Sequence, residues 1–365
     1  MKVDGIHTRS IWSLDNGQAV GIVDQTLLPF KFEKKILYTW REIQEAIGSM
    51  RVRGAPLIGI AGAWGMVMAL KENPEDEAIH QARSALIATR PTAVDLQWGV
   101  DRIVTRVMSF EPHERFNEAV RLAEKMTQEN VIANRAIGTH GAKLIAQIYA
   151  QKREPVNILT HCNAGWLATV DFGTALSAIY IAMEQGIPLH VWVDETRPRN
   201  QGLLTAWELA AHGVPHTLIA DNAGGHLMQH RDVDMVIVGA DRITSAGDVA
   251  NKIGTYLKAL AARDMDVPFY VAAPSSTVDW TISDGKHGIT IENRSADEVR
   301  YVTGVNEQGQ VERVAIVGAE TNVENPAFDV TPARLVTAII TERGVCAPED
   351  LMRLFPEEAH GNRKE

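Results

Sequence analysis

The sequence predicts an α/β protein with a mainly helical N-terminal domain carrying a small β cap (residues 1–150) and a C-terminal Rossmann-like domain (residues 151–365). Two changes of pattern support this. Between residues 39 and 150, apolar residues recur three and four apart, which is typical of amphipathic helices. From residue 156 onward, short β-rich runs alternate with helical stretches, which predicts a doubly wound parallel sheet with crossover helices.

Residues 1–35 form the predicted β cap. The stretch "SLDNGQAVGIVDQ" carries an Asn-Gly pair of the type that joins two antiparallel strands. In the helical region that follows, Gly59, Gly62 and Gly65 are spaced three apart, unlike the glycines of a dinucleotide-binding loop. We interpret them as a helix face that packs closely against a neighbour.

Five runs predict the strands of the parallel sheet: "VNILT", "LHVWVD", "HTLIA", "DMVIVGAD" and "FYVAA". Ligands of such sheets bind beyond the carboxyl ends of the strands. The candidate site residues are therefore those at the ends of the runs, namely Cys162, Asp194, Asp221, Asp241 and Pro274. Nearer the C-terminus, "NPAFDVTPARLVTAIITERGV" predicts a helix with Thr331 as N-cap and Pro332 at its first position, ending at Gly344.

Composition excludes several classes of function. The formal net charge of −10 gives no attraction to nucleic acid or anionic membranes. The 2 cysteines form no disulfide framework, which favours a reducing cytoplasm. No uncharged run reaches the roughly 18 residues of a membrane helix, and residues 1–30 lack the apolar core of a signal peptide, so we expect neither membrane insertion nor export.

Cys162 and Asp241 are the candidate reactive side chains. A helix N-terminus after "THCNAG", expected near Ala168, would stabilise a thiolate at Cys162, whereas apolar neighbours such as Trp166 would raise the thiol pKa. The alternative is that Cys162 is a small buried apolar residue. Asp241, if desolvated, would hold a proton for general acid catalysis; the alternative is a helix cap or an ion pair with Arg242.

Three further stretches predict an anion and sugar site. "RVRGAP" places arginines before a helix entry, where guanidinium and backbone N–H groups suit phosphate, and Arg90 precedes a proline in a similar setting. The polar loop "VDETRPRNQG" suits sugar hydroxyls, and "GDVANKIGTY" supplies an ammonium. Each stretch also has a structural interpretation as a helix start or a solvated loop. We expect no nucleotide cofactor and no metal, because Walker-type loops, HExxH pairs and paired histidine spacings do not occur.

Together, "VRGAPLIGIAGAWG", "RPTAVDLQW", "THCNAGWLATVDFGTAL", "VDETRPRNQGLLTAWEL", "VGADRITSAGDVANKIGTY", "VAAPSSTVDW" and "NPAFDVTP" resemble the methylthioribose-1-phosphate isomerase family, relatives of the regulatory subunits of translation initiation factor 2B. The resemblance implies isomerisation of 5-methylthioribose 1-phosphate to 5-methylthioribulose 1-phosphate in methionine salvage, by a homodimer without a cofactor. It implies Cys162 and Asp241 as the catalytic pair. The substrate-binding positions that it implies are Arg53, Gly54, Ala55, Arg90, Gln201, Asn251 and Lys252.

Three alternatives stay open at this stage. The first two are enzymes with the same mechanism, which act on 5-deoxyribose 1-phosphate or on ribose 1,5-bisphosphate. The third is a regulatory subunit that binds a phosphorylated ligand without converting it. Proton transfer through an enolate and hydride transfer from C2 to C1 are both open. Where the family has Asn, this chain has Asp95, which either repels a second phosphate from the pocket or caps or pairs on the surface with Arg102.

Overall fold

In the computed structural model, which describes residues 1–358, the first part of the chain is mainly helical. Its elements are β1 (Lys2–Val3), β2 (Ile6–His7), β3 (Ile11–Leu14), β4 (Ala19–Val23), β5 (Lys34–Leu37), α1 (Trp40–Gly48), α2 (Ala55–Glu72), α3 (Asp76–Ala88), α4 (Val94–Val107) and α5 (Pro112–Lys152). β3, β4 and β5 form an antiparallel sheet, the predicted β cap. The predicted Asn-Gly hairpin is confirmed, since β3 and β4 pair across it and both Asn16 and Gly17 have positive φ.

The second part of the chain alternates strands and helices. Its elements are β6 (Val156–Thr160), α6 (Ala175–Glu184), β7 (Leu189–Asp194), α7 (Gln201–Ala211), β8 (His216–Ile219), α8 (Ala223–Gln229), β9 (Met235–Val238), β10 (Arg242–Thr244), β11 (Val249–Lys252), α9 (Thr255–Asp264), β12 (Phe269–Ala272), β13 (Val278–Asp279), α10 (Gly285–Gly288), α11 (Asp297–Arg300), β14 (Tyr301–Val305), β15 (Val311–Ala315), β16 (Phe328–Thr331), β17 (Ala338–Thr341), β18 (Gly344–Cys346) and α12 (Leu351–Leu354).

A seven-stranded sheet with the order β18-β17-β12-β9-β6-β7-β8 organises this second part. All its strand pairs are parallel except β17 with β18, so the predicted doubly wound α/β fold is confirmed. The strands are rich in β-branched residues and buried on both faces, as crossover helices require. A four-stranded sheet, β13-β10-β11-β16, lies beside it and carries a second group of site residues.

The predicted helix between Thr331 and Gly344 is wrong. Thr331 ends β16, and residues 338–341 form β17, which pairs in parallel with β12. The run "LVTAII" is apolar on both faces, a pattern that suits a buried parallel strand as well as a buried helix segment. Pairing with β12 decides between them, because it satisfies the backbone groups inside the sheet.

Close helix packing explains the three spaced glycines. A Cβ on Gly59 of α2 would lie 2.7 Å from the carbonyl oxygen of Asp95, and a Cβ on Gly99 of α4 would lie 2.0 Å from the carbonyl oxygen of Gly59. Both helices therefore need glycine at the crossing. The prediction of a close-packing face is confirmed.

Helix α5 contributes to two of the hydrophobic cores. Its early residues Ala123 and Met126 lie in the core of the helical part, whereas Ile137 and Ile145 lie in the core around the parallel sheet. The predicted domain boundary at residue 150 falls in the last turn of this helix and stays a prediction. Across residues 1–358, no helix is both long enough and apolar enough to span a membrane.

Candidate active site

All nine residues that the resemblance implies as catalytic or substrate-binding line one small cavity of about 70 Å³, whereas the strand-end candidates Asp194, Asp221 and Pro274 do not. They come from the N-terminus of α2, the segment before α4, the loops after β6 and β7, the segment after β9, and β11. A second cavity of about 490 Å³ shares the lining residues Met50, Arg53 and Gln201 with the small one. The nine residues are Arg53, Gly54, Ala55, Arg90, Cys162, Gln201, Asp241, Asn251 and Lys252.

Cys162 follows β6 in a left-handed backbone conformation with φ of +68°. Its backbone N–H donates to Thr196 Oγ1 at 2.8 Å, and its carbonyl accepts from Thr205 Oγ1 at 2.8 Å. A non-glycine residue persists in this strained region when its surroundings hold it there. The helix expected near Ala168 is wrong, since α6 begins at Ala175 and the intervening loop contains only a short 3₁₀ turn, at residues 166–168.

Arg53 is buried and holds the loop that carries Cys162. Its two terminal nitrogens donate to Asn163 Oδ1 and to the Asn163 carbonyl, both at 2.7 Å. The next residue, Gly54, has φ of +94°, and a Cβ there would lie 2.6 Å from Ala168. The predicted anion-binding stretch "RGAP" therefore packs directly against the Cys162 loop, and glycine is required at the contact.

The second group of site residues belongs to the four-stranded sheet. The backbone N–H of Asp241 donates to the Ala250 carbonyl at 2.9 Å, which places Asp241 beside β11. Asn251 and Lys252 end β11 and are buried. Asn251 Nδ2 donates to Thr255 Oγ1 at 3.0 Å, which fixes the amide at the cavity.

Burial governs the titration of these groups. It raises the pKa of the Cys162 thiol, while the charges of Arg53 and Lys252 act in the opposite direction. It also raises the pKa of the Asp241 carboxyl, against the charges of Arg90, Lys252 and Arg53. Burial lowers the pKa of the Lys252 ammonium. Asp241 therefore retains its proton to higher pH than an exposed carboxyl, as a general acid needs.

Arg90 and Gln201 also line the cavity and keep polar atoms free. Among residues 1–358, Arg90 Nε and Gln201 Oε1 are buried without a hydrogen-bond partner. Arg90 Nη2 lies 3.4 Å from Glu292 Oε2, and Arg294 donates to Glu292 at 2.8 Å. Buried groups of this kind are commonly satisfied by a ligand or water.

Sequence reasoning missed Glu208, the buried carboxylate behind the Cys162 loop. It accepts hydrogen bonds from Asn163 Nδ2 at 3.0 Å, the backbone N–H groups of Trp166 and Leu167, and the Tyr180 hydroxyl at 3.0 Å. A signal existed, because Glu208 lies four residues after Leu204 on the buried stripe of α7. His161 and Arg294, which also line the cavity, were missed as well.

The position of Asp95 agrees neither with a role in the pocket nor with capping or pairing on the surface. It does not line the cavity, and its carboxylate accepts from Ser276 Oγ at 2.7 Å. Arg102 instead pairs with Glu129 at 2.9 Å. Burial raises the pKa of Asp95 to about 6. Both expectations for Asp95 are wrong, because α4 turns the side chain towards the segment after β12.

Two other strand-end carboxylates, Asp194 and Asp221, lie close to His161. These three side chains place ligand atoms within 4.8 Å of one another, as a metal site would require. His161 Nδ1 lies 2.8 Å from Asp194 Oδ2, and Lys258 Nζ lies 3.3 Å from the same oxygen. The lysine already supplies the positive charge, so we interpret the group as a hydrogen-bonded network.

Comparison with known proteins identifies the family. A family model described as the initiation factor 2 subunit family matches residues 51–348. The methylthioribose-1-phosphate isomerase of Rhodospirillum centenum is 55% identical over 369 residues, covering 100% of this chain and 98% of that protein. The protein of the same name from Gluconobacter oxydans is 56% identical, covering 98% of this chain and 99% of that protein.

This chain belongs to the initiation factor 2 subunit family, together with the methylthioribose-1-phosphate isomerases. Solved structures of the family agree with the fold. The crystal structure of 5-methylthioribose 1-phosphate isomerase from Pyrococcus horikoshii is 38% identical, with a TM-score of 0.82 over 98% of this chain and 97% of that one. The translation initiation factor eIF-2B subunit delta from A. fulgidus is 39% identical, with a TM-score of 0.79 over 96% of this chain and 100% of that one.

Proposed function

We propose that this protein converts 5-methylthioribose 1-phosphate to 5-methylthioribulose 1-phosphate, an aldose-ketose isomerisation of methionine salvage. The observation that carries the proposal is that Cys162 and Asp241 line one cavity together with Arg90 and Lys252. A thiol and a carboxyl provide a base and an acid, while the cations suit a phosphate. The names of full-length relatives at 55% and 56% identity support the same substrate.

The substrate explains why an acid is needed. A sugar whose anomeric oxygen is phosphorylated does not open spontaneously, so the ring oxygen must be protonated as its bond to C1 breaks. Asp241 is assigned this step because desolvation raises the pKa of its carboxyl, which favours the protonated form. After donating the proton, the Asp241 carboxylate is ready to accept one from the C2 hydroxyl later in the reaction.

Cys162 is assigned the transfer between the two carbons. As a thiolate it removes the proton from C2, which leaves an enol phosphate between C1 and C2, and it then returns the proton to C1. The C2 hydroxyl gives its proton to Asp241, so both side chains end as they began. The cations Arg53 and Lys252 favour the thiolate, as does the positive charge that develops at C1 when the ring opens.

Phosphate binding is assigned to the cationic and backbone donors of the cavity. Arg90 keeps Nε unpaired within the described chain, and the Lys252 ammonium lies at the end of β11. The backbone of Gly54 and Ala55 begins α2, where free N–H groups favour an anion. Gln201 Oε1 and Asn251 suit sugar hydroxyls, because a buried amide gains most from a polar partner.

Turnover of sugar phosphates tests the proposal. The purified protein is incubated with 5-methylthioribose 1-phosphate, 5-deoxyribose 1-phosphate and ribose 1,5-bisphosphate, and ketose formation is followed by NMR. We expect 5-methylthioribose 1-phosphate to be converted. Binding without conversion of all three compounds would favour a regulatory role like that suggested by the name of the A. fulgidus protein.

Isotope labelling distinguishes the two routes between C2 and C1. Substrate carrying deuterium at C2 is converted in ordinary water, and the ketose is analysed for deuterium at C1. The Cys162 route predicts partial loss of deuterium to solvent, since a thiol proton exchanges. Complete retention over many turnovers would favour hydride transfer instead.

The proposal also covers the oligomeric state of the protein and its location in the cell. We propose a homodimer, as the family resemblance implies, in the cytoplasm. Light scattering coupled to size-exclusion chromatography measures the mass in solution, and a single peak at the monomer mass of 40.1 kDa would contradict the dimer. Cell fractionation tests the location.

A further inference from the structure

We infer that His161 is a positioning residue. The hydrogen bonds of its two ring nitrogens fix the turn at the end of β11 (residues 252–256, the Lys252 turn) relative to the loop that carries Cys162. This inference rests on the function proposed above. His161 lies directly after β6 and directly before Cys162, and its side chain is fully buried. It forms part of the cavity wall.

The imidazole joins the ends of three strands. Nδ1 lies 2.8 Å from Oδ2 of Asp194, the last residue of β7. Nε2 lies 2.8 Å from the carbonyl oxygen of Ile253, the residue that follows Lys252 at the end of β11. β6 and β7 belong to the seven-stranded sheet and β11 to the four-stranded sheet, so the ring connects the two sheets at the cavity.

Both ring nitrogens are used within the protein. A carbonyl oxygen only accepts, so Nε2 of His161 must carry a proton for the bond to Ile253. A further proton lies between Nδ1 and Asp194. Although the ring borders the cavity, neither nitrogen is left to exchange a proton with a sugar, which is why His161 acts through its neighbours.

The turn that carries Lys252 depends on this contact. Asp329 accepts from the backbone N–H of Gly254 at 2.7 Å and from that of Tyr256 at 3.0 Å, which holds the far side of the turn. His161 holds the near side at the Ile253 carbonyl. A Cβ on Gly254 would lie 3.0 Å from His161 Cε1, so the ring is packed directly on the turn.

Asp194 extends the connection to Cys162. Its carbonyl accepts from Thr196 Oγ1 at 2.9 Å, and the same hydroxyl oxygen accepts the backbone N–H of Cys162. Asp194 therefore contacts His161 with its side chain and supports the Cys162 conformation with its backbone. Removing the ring separates the Lys252 turn from this network but leaves the Thr196 bond in place.

Two substitutions separate the two ring bonds. In His161→Gln, the amide nitrogen occupies the region of Nε2 and still donates to Ile253. In His161→Asn, the amide nitrogen occupies the region of Nδ1 and donates to Asp194, but the Ile253 carbonyl is left unpaired. Because a buried carbonyl without a partner is costly, we expect H161N to raise KM for 5-methylthioribose 1-phosphate about tenfold, and H161Q to raise it less than about threefold.

His216→Asn is the matched control. His216 also binds a carbonyl through one ring nitrogen, with Nδ1 2.8 Å from Val214 O, but it begins β8 at the opposite end of the strands. We expect its KM to equal that of wild type. Melting temperatures of all three variants show whether a loss of activity follows a loss of fold. Equal KM values in H161N and H161Q, or a larger rise in H161Q, would overturn the positioning role.

Nitrogen-15 NMR of wild-type protein tests the same contact without a variant. The His161 ring is assigned from its proximity to Gly254, and Nε2 should carry a proton, because the Ile253 carbonyl oxygen can only accept. An unprotonated Nε2 would overturn the inference even if both variants failed to fold.

Titration with inorganic phosphate separates this inference from the proposed function. If H161N weakens phosphate binding more than H161Q does while wild type converts no sugar phosphate, the positioning role stands and the isomerase proposal fails. If wild type converts the sugar phosphate and both variants bind phosphate equally well, the isomerase proposal stands and the positioning role fails.

Discussion

Two walls of the cavity differ in how their polar groups are paired. The first group, which we call the Cys162 wall, consists of the lining residues Cys162, Arg53 and Asn163, with Glu208 behind them. Arg53 donates twice to Asn163, and Glu208 accepts four hydrogen bonds. The second group, which we call the Arg90 wall, consists of the lining residues Arg90, Gln201 and Arg294, with Glu292 paired to both arginines. In this group Arg90 Nε and Gln201 Oε1 have no partner within residues 1–358.

This difference indicates that the two walls have different roles in the reaction. A wall whose hydrogen bonds are complete holds its geometry without a ligand, which suits the groups that transfer protons. A wall with unpaired donors and acceptors gains most when a ligand arrives. We therefore expect substitutions on the Cys162 wall to reduce kcat or stability, and substitutions on the Arg90 wall to raise KM.

The largest effects are expected at the proposed proton-transfer groups. Cys162→Ser and Asp241→Asn should each reduce kcat by at least about 10³-fold, since general acid–base groups contribute about 10²–10⁴-fold. Phosphate affinity should stay within about tenfold, because neither group is assigned to phosphate. Steady-state kinetics and phosphate titration measure both. Retained activity in either variant would remove that residue from the mechanism.

Cys346→Ala is the control for Cys162→Ser. Cys346 lies in β18 at the edge of the large sheet, outside the cavity, and burial raises its thiol pKa to about 11. Its replacement should leave kcat and KM unchanged. A loss of activity with an intact fold would show that the assignment of the reactive thiol is wrong.

The pH dependence of kcat/KM sharpens the assignment of Cys162 and Asp241 as the proton-transfer groups. Burial raises the pKa values of both Cys162 and Asp241, so activity should rise as the thiol ionises and fall as the carboxyl loses its proton. The profile should be bell-shaped and displaced to the alkaline side of that of exposed groups, with limits that belong to the pair. A profile that lacks either the acid limb or the alkaline limb would contradict these roles.

Glu208→Gln is the next largest expected effect and tests the completeness of the Cys162 wall. The carboxylate accepts all four hydrogen bonds. In the amide, an NH2 group replaces one of the two oxygens, and this donor then faces the donors of its neighbours. Urea unfolding should show a loss of about 3 kcal/mol, with a lower kcat in the folded fraction. Glu184→Gln, on the exposed end of α6, is the control and should change stability by less than about 0.5 kcal/mol.

Asp95→Asn tests the effect of burying a carboxyl that lies outside the cavity. The folded-state pKa of about 6 lies above the ordinary 3.8, so the stability from the protonated form is present at low pH and is lost as pH rises through about 6. At pH 8 the variant should be more stable than wild type by up to about 3 kcal/mol. At pH 5 this gain in stability should be smaller by about 1–2 kcal/mol.

Asp101→Asn on the same helix is its control. Asp101 pairs with Arg83 at a partly exposed site, and the loss of such a pair should change stability by less than about 1 kcal/mol. A gain of stability in Asp95→Asn that is independent of pH would mean that desolvation of the charge is not its cause. Since Asp95 lies outside the cavity wall, the order of preference among the three sugar phosphates should not change.

The smallest effect is expected on the Arg90 wall. Arg90→Lys keeps the charge but loses the fork of donors, so KM should rise about tenfold with kcat little changed. Arg102→Lys, which alters an arginine paired with Glu129 outside the small cavity, is the control. A fall in kcat that exceeds the rise in KM would contradict the division between the two walls.

Much of the site was predictable because strand ends are visible in the sequence. The apolar runs before Cys162 and Asp241 correspond to β6 and β9, and parallel strands bring their carboxyl ends to one edge. The run at residues 338–341 was misassigned because an apolar run without alternation fits a helix or a buried strand equally well.

By itself, the sequence determined the elements whose pattern is local: the helices from their apolar periodicity, the hairpin from its Asn-Gly pair, and five parallel strands from their β-rich runs. Only the tertiary structure decided the roles of Glu208, Asp95 and His161. Their contacts join residues 28 to 182 positions apart in the chain, and the stability of such groups depends on burial and partners that no local pattern contains.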